Sequence, residues 1–377
     1  MRLLICAGGT GGGVYPALAV LEQLKVEGQR LKDENLQPET WNLELLWVGG
    51  EGGMEEALVK RAGVPFTAIP AAGVHGVGLR ALPRNLTLLA RGVFASRRIL
   101  REFRPDVLFF TGGYVAAPMA VAGRRVPTLL YVPDIEPGLA LKTLARFADR
   151  ITVTSIDSKA FFPRNARIIE TGYPTRPELA RWDRKSAREK LGLDEKQPVL
   201  LVFGGSKGAR SINMAVLAHL PALLKLAQVV HVSGELDWPT VESARASLTE
   251  EQAIRYHAFP YLHEEMGAAL ACADLAVSRA GASSLGELPL FGLPAVLVPY
   301  PHAWRYQKVN AESLVKHGAA VLLEDARLQT ELLAVVESLL TNGTRLGSMR
   351  AAMRTLARPQ AAADIARQLA EMAGESS

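Results

Sequence analysis

The stretch RLLICAGGTGGGVYPALAV, residues 2–20, sets a short apolar run against five glycines packed around Thr10, then passes into a helical pattern. An apolar run of this length, bounded by glycine, reads as a buried strand. Glycine in the turn that follows lets another group approach the backbone where a Cβ would block it. Backbone N–H groups there, together with the positive end of the next helix, suit a phosphate or another anion. The same grammar returns at VLLVFGGSKGARSIN, residues 199–213. A single turn of this kind also serves merely to close a tight strand-to-helix connection; two in equivalent places point to two like domains. Neither is a Walker A loop, because Lys207 is followed by Gly208, and neither carries a clean dinucleotide fingerprint.

Working outward, LELLWVG (43–49), VLFFTGG (107–113), TLLYVP (128–133) and RITVTS (150–155) also read as buried strands, with helix-length segments between most of them. After residue 198 the alternation resumes with QVVHVSG (228–234), IRYHAFP (254–260), LAVSRAG (275–281), PAVLVPY (294–300) and AVLLED (320–325). The fold class is α/β, with two Rossmann-like, doubly wound parallel-sheet domains. The polar piece at 171–197 holds the boundary, giving a first domain of 1–175 and a second of 176–358. The last helical pattern, PQAAADIARQLAEMAG, follows Pro359, and residues 359–377 are expected to pack back on the first domain. Residues 27–42, EGQRLKDENLQPETWN, read as a solvated loop insertion.

Composition narrows the function classes. The 377 residues carry 43 Lys+Arg against 38 Asp+Glu, a net charge of +5 that is too small and dispersed for nucleic acid to be the principal partner. Cys6 and Cys272 lie far apart in apolar segments, as expected of free thiols in a reducing, cytosolic compartment. Neither a signal peptide nor an apolar stretch long enough to span a bilayer is evident.

The richest segment is SRAGASSLGELPLFGLPAVLVPYPHAWRYQKVNA, residues 278–311. Small and hydroxyl residues from Arg279 to Ser284 open a helix, and Glu287 follows within its first turns. A carboxylate there repels phosphate but accepts two hydrogen bonds from the adjacent hydroxyls of a ribose, so the segment suits a nucleotide. The alternative is an ordinary carboxylate placed where the helix dipole favours it. Gln307 brings an uncharged amide suited to sugar hydroxyls, or is simply a surface residue.

These pieces resemble the MurG family of glycosyltransferases along nearly the whole chain. The resemblance is carried by GGTGG followed by VYPALAV, RPDVLFFTGGYVAAP (104–118), GYPTRPEL (172–179), GGSKGARSIN (204–213), FPYLHEEM (259–266), the 278–300 segment and RYQKVNA (305–311). It implies a GT-B fold, two domains facing a cleft. The implied activity moves N-acetylglucosamine from UDP-GlcNAc onto lipid I, making lipid II for peptidoglycan, with inversion at the anomeric carbon. By resemblance, Glu287 holds the ribose and the backbone at His263 lies near the uracil. Ala282, Ser283, Ser284, Leu285, Gly286 and Ser206 hold the diphosphate with Arg176, and Gln307 reaches the donor sugar. Thr10, Gly11 and Gly12, with Asp134, count among the donor-binding residues, and the first three also face the acceptor diphosphate at the reaction centre. Thr111, Gly112, Gly113 and Tyr114 face the acceptor, as does Gly13. No Asp-x-Asp motif occurs, so neither a metal nor a cofactor is implied.

The chain departs from the family pattern in two places. Gly13 stands where the family usually has a His, a leading candidate for its base. Tyr131-Val132-Pro133-Asp134 replaces a His-Glu-Gln-Asn run, so a carboxylate stands where an amide is expected at the donor sugar. Asp134, Glu136 and His75 are the candidate replacement bases, each with a bland reading as a turn or loop residue. The same departures are compatible with a different sugar or lipid acceptor, or with a non-catalytic nucleotide-sugar-binding scaffold among cell-wall synthesis proteins. Residues 84–104 interleave Leu86, Leu89, Val93, Phe94, Leu100 and Phe103 with six arginines. Such a helix suits either a core-facing stripe with solvated arginines or contact with an anionic membrane. With the resemblance, the second reading places the protein peripherally on the inner face of the cell membrane.

Overall fold

The computed structural model describes residues 1–8, 11–33, 42–53, 55–73, 82–205, 207–302 and 305–374. The chain divides into two compact units, Met1–Thr175 with Pro359–Ser377, and Arg176–Arg358.

The first unit is built on strands β1 (Arg2–Cys6), β2 (Glu44–Gly50), β3 (Phe66–Ile69), β4 (Val107–Phe110), β5 (Thr128–Val132), β6 (Arg150–Val153) and β7 (Ile168–Glu170). They form a parallel sheet in the order β3-β2-β1-β4-β5-β6-β7. Leu3, Leu4, Ile5 and Cys6 are fully buried, as are all four residues of β4, because helices cover both faces of the central strands. The helix Gly11–Asp33 turns Val14, Ala17, Val20, Leu21 and Leu24 inward at helical spacing. It packs against the helix Ala361–Gly374, whose buried face carries Ile365, Leu369 and Met372.

The second unit carries β8 (Val199–Phe203), β9 (Gln228–Val232), β10 (Tyr256–Phe259), β11 (Leu275–Ser278), β12 (Ala295–Leu297) and β13 (Ala320–Leu322). Its parallel sheet runs β10-β9-β8-β11-β12-β13. A single apolar core joins β8, β9 and β11 to the helices Arg210–Leu226 and Leu328–Leu340 through Ile212, Val216, Leu332 and Val336.

Three local features differ from the sequence reading. The helix that starts at Gly11 runs on to Asp33, so residues 27–33 are helical and not part of a loop; residues 34–41 lie outside the described residues. The strands β3 and β7 were not anticipated. Both are short outer strands of the sheet and only partly buried, so neither presents the continuous apolar run that marks a central strand.

Candidate active site

In the first unit the strand order reverses between β1 and β4, and a parallel sheet opens its ligand crevice beyond the carboxyl ends of the strands at such a point. The two glycine turns meet there. A Cβ at Gly113, whose φ is +91°, would lie 2.6 Å from the Gly8 carbonyl oxygen, so the backbones touch and no side chain fits. Thr111 is buried and its hydroxyl donates to the carbonyl of Gly13 at 2.7 Å. Gly11 and Gly12 open the helix, and Gly112 follows Thr111 with φ +122°. Tyr114 is 55% exposed and its ring covers Gly73, whose carbonyl accepts from the Asn85 amide at 2.6 Å. Gly11, Gly12, Gly13, Thr111, Gly112, Gly113 and Tyr114 therefore share one edge of the sheet. Thr10 and His75 lie outside the described residues.

The neighbouring strand β5 brings Asp134 and Glu136 to the same edge. Their surroundings separate them. Glu136 is 4% exposed and paired with the Lys142 ammonium at 3.3 Å, and Lys142 itself lies over the Phe161 ring. Asp134 is half-buried, two residues past the strand end, with Tyr131 buried beneath it and bonded to Thr154 through its hydroxyl at 2.7 Å. Of the two carboxylates, Asp134 is the more exposed.

One residue at this edge escaped the sequence reading. Glu55 opens the helix Glu55–Arg61, is buried, and accepts from the Gly50 N–H at 2.9 Å. Its carboxylate fills the space beside Gly8 and Gly53, where a Cβ would collide with it. The signal was available as VGGEGGMEE at 48–56, glycines after a strand that leave room for an acid.

In the second unit the order reverses between β8 and β11. After β8 the glycine turn packs tightly: Gly208, at φ +77°, leaves no room for a Cβ against the Ser233 carbonyl. Ser206 lies outside the described residues. After β11 the loop is clamped from several sides. The Arg279 guanidinium bonds the Asp325 carboxylate, the Ser211 hydroxyl at 2.7 Å and the Val298 carbonyl at 3.2 Å. The Ser284 hydroxyl donates to the Arg279 carbonyl at 3.0 Å, and the Asn310 amide donates to the Ala280 carbonyl at 3.1 Å. The N–H groups of Ala282 and Ser283 find no protein acceptor among the described residues. They precede the helix Ser284–Phe291, which adds its positive end.

Glu287 sits in the first turn of that helix, half-buried. Loss of hydration pushes its carboxyl up to about 7, against the opposing pull of the Arg176 guanidinium and a hydrogen bond with Ser283. Arg176 also lines a cavity of about 260 Å³ with Glu178, Leu179, His263 and Glu264. The His263 ring meets Tyr261 edge to face at 4.6 Å between centroids. Gln307 stands in the helix Tyr306–Lys316, and its Oε1 accepts from the Tyr300 N–H at 2.9 Å, which turns its NH₂ group outward as a donor. The structure thus joins Arg176 to His263 and Arg176 to Glu287, while Gln307 belongs to the segment after β12.

Comparison with known proteins accounts for both units. The model of the glycosyltransferase family 28 N-terminal domain matches residues 3–153, and that of the C-terminal domain matches residues 199–369. A Roseiflexus sp. (strain RS-1) protein named UDP-N-acetylglucosamine--N-acetylmuramyl-(pentapeptide) pyrophosphoryl-undecaprenol N-acetylglucosamine transferase is 41% identical, over 97% of this chain and 94% of its own. The chain belongs to glycosyltransferase family 28. A second family 28 relative of the same name, from Desulforudis audaxviator (strain MP104C), is 39% identical over 100% of this chain and 99% of its own. Among solved structures, Acinetobacter baumannii MurG superposes with a TM-score of 0.77 at 27% identity, covering 98% of this chain and 99% of the other. The fold is accordingly that of the GT-B glycosyltransferases, expected from the resemblance.

Proposed function

We propose that this family 28 chain transfers N-acetylglucosamine from UDP-N-acetylglucosamine to lipid I, the undecaprenyl-diphosphate-linked N-acetylmuramyl peptide, yielding lipid II in peptidoglycan synthesis. The observation that carries the reading is end-to-end identity with relatives named for that reaction. The second unit holds the donor. The unpartnered amides at Ala282 and Ser283, with Ser284, Leu285, Gly286, Ser206 and the Arg176 guanidinium, take the diphosphate. Glu287 accepts from the ribose hydroxyls, the backbone at His263 borders the uracil, and Gln307 donates to the sugar. The first unit holds the acceptor diphosphate against Gly11, Gly12, Gly13 and the 111–114 turn, and Thr10 is assigned to the same group from the sequence alone.

Asp134 acts as the general base. It takes the proton of the attacking acceptor hydroxyl as that oxygen bonds to the anomeric carbon and the carbon–oxygen bond to the diphosphate breaks. The electron pair leaves with UDP, whose growing charge meets the helix end and Arg176, and the anomeric centre inverts. Glu136, buried in its pair with Lys142, holds the loop.

Gly13 and Asp134 favour a second reading, in which the same chemistry serves another UDP-sugar or lipid acceptor. A screen of UDP-sugars against lipid-linked acceptors separates the two: the first requires UDP-N-acetylglucosamine and lipid I to be the best pair.

No helix among the described residues is long and apolar enough to cross a membrane. Contact with the membrane is assigned to the helix Leu82–Phe103. Leu89, Val93, Leu100 and Phe103 are partly buried in the unit, whereas Leu86 and Phe94 are 53% and 68% exposed among Arg84, Arg91, Arg97, Arg98 and Arg101. Two apolar side chains among cations suit the headgroup region of an anionic bilayer at its cytoplasmic face. Loss of vesicle binding in Leu86→Ser/Phe94→Ser tests this assignment.

A further inference from the structure

A cavity of about 290 Å³ lies in the first unit, lined by Arg124, Arg125, Arg150, Arg167 and Asp149 over an apolar floor that includes Met372. Its position in the sheet separates it from the reaction. Arg124 and Arg125 come just before β5, Asp149 and Arg150 at the start of β6, and Arg167 just before β7. These are the amino ends of parallel strands, opposite the edge that carries the glycine turns and Asp134.

The cavity is built from the sequence outward. Arg150 is 2% exposed and fixed by the helix Ala361–Gly374, donating to Gln368 Oε1 at 3.1 Å and Glu371 Oε2 at 2.8 Å. The Asp149 carboxylate accepts from the Thr128 N–H at 2.8 Å. Among the described residues Asp149 is the one carboxylate that lines the cavity, held to the start of β5, and Arg150 is paired with Glu371. The side chains of Arg124, Arg125 and Arg167 have neither an ion-pair nor a hydrogen-bond partner among the described residues. Three exposed guanidinium groups without a partner thus face a single carboxylate on one concave surface, which leaves its field net positive.

From this arrangement we infer that the cavity is a binding site for a phosphate group. Guanidinium donors present parallel N–H pairs that match phosphate oxygens two at a time. The site takes either a free phosphate or the phosphodiester of an anionic lipid headgroup. It depends neither on the donor reading nor on the exposed face of the helix Leu82–Phe103.

The test uses the full chain saturated with UDP, so that the glycine turns of the second unit are occupied. Thermal stability is titrated with inorganic phosphate, and flotation is measured with vesicles of phosphatidylcholine, alone or mixed with phosphatidylglycerol. Arg124→Ser/Arg125→Ser is compared with wild type and with Lys25→Ser/Arg61→Ser, which removes the same charge from exposed positions of the unit outside both the cavity and the helix Leu82–Phe103. The site predicts saturable stabilisation or vesicle binding that weakens at least about tenfold in the pocket variant and far less in the charge-matched one. A response to free phosphate identifies a soluble ligand; a response to phosphatidylglycerol vesicles alone identifies a headgroup. Equal weakening in both variants, or no difference between either and wild type, overturns the assignment. Arg167→Ser, at an exposed position, repeats the comparison if the double variant does not fold.

Discussion

The Thr111 hydroxyl donates to the Gly13 carbonyl across 2.7 Å, tying the turn after β4 to the helix that follows β1. This contact leaves little room at Gly13: a Cβ there would stand 3.3 Å from the Thr111 carbonyl oxygen and 3.4 Å from its hydroxyl. Gly13→His therefore asks the Thr111 turn to give way by a few tenths of an ångström, and with the base assigned to Asp134 it is expected to bring no gain in rate. Urea unfolding and initial transfer rates measure the two effects. A several-fold faster Gly13→His enzyme would contradict the assignment of the base to Asp134.

Asp134 and Glu136 differ in environment, and their variants should differ in kind. Asp134→Asn lowers kcat by about 10²–10⁴ with KM for the donor little changed, as loss of a general base does. Glu136→Gln leaves Lys142 unpaired, so it acts mainly on stability. Steady-state kinetics together with melting curves distinguish them; the reverse pattern would move the base to Glu136.

Glu287 has a sign that is straightforward to test. Its folded-state pKa is raised from 4.5 to about 7, so the folded protein holds this proton more tightly than the unfolded chain. Its contribution to stability therefore falls as pH rises from 4.5 towards 7, and Glu287→Gln removes that part of the pH dependence. Ribose hydroxyls donate to the carboxylate form, so affinity for uridine rises with pH through about 7 and then levels off. Uridine itself keeps one charge state across this window. Calorimetric titrations between pH 5.5 and 8.5 should show the rise in wild type and a flat profile in Glu287→Gln; identical profiles would remove Glu287 from the ribose.

Arg279 holds the loop after β11, proposed to bind the donor, and is assigned no ligand contact. Its guanidinium links Asp325, Ser211 and the backbone after β12, while its own carbonyl accepts from Ser284. Asp325→Asn weakens this clamp. UDP affinity is expected to fall about tenfold, the scale of a weakened charge-assisted hydrogen bond, while kcat at saturating donor is largely kept. A large fall in kcat with unchanged affinity would show that Arg279 acts in the chemistry itself.

Much of this was legible in the sequence where chemistry and burial coincide. The central strands announce themselves because helices cover both faces, and LLIC at 3–6 or VLFF at 107–110 has no polar position to blur the run. β3 and β7 lie outside that fully buried centre, so FTAI and IIE carry no such mark. Glu287 stands out as a candidate in the sequence because a carboxylate beside a turn of small and hydroxyl residues that opens a helix is chemically conspicuous. Glu55 was missed because its purpose is spatial: it fills the room left by Gly8 and Gly53, which only the fold brings to it. The proposed phosphate site escaped for the same reason: Arg167 lies far along the chain from the adjacent pair Arg124 and Arg125, and they come together only where β5, β6 and β7 begin.

The central claim is tested most directly by incubating the purified protein with lipid I and radiolabelled UDP-N-acetylglucosamine and resolving the lipid products. The account predicts multiple-turnover formation of lipid II, sharply reduced in Asp134→Asn and, through donor binding, in Glu287→Ala. Saturable binding of UDP-N-acetylglucosamine with no label transferred to lipid I would contradict it.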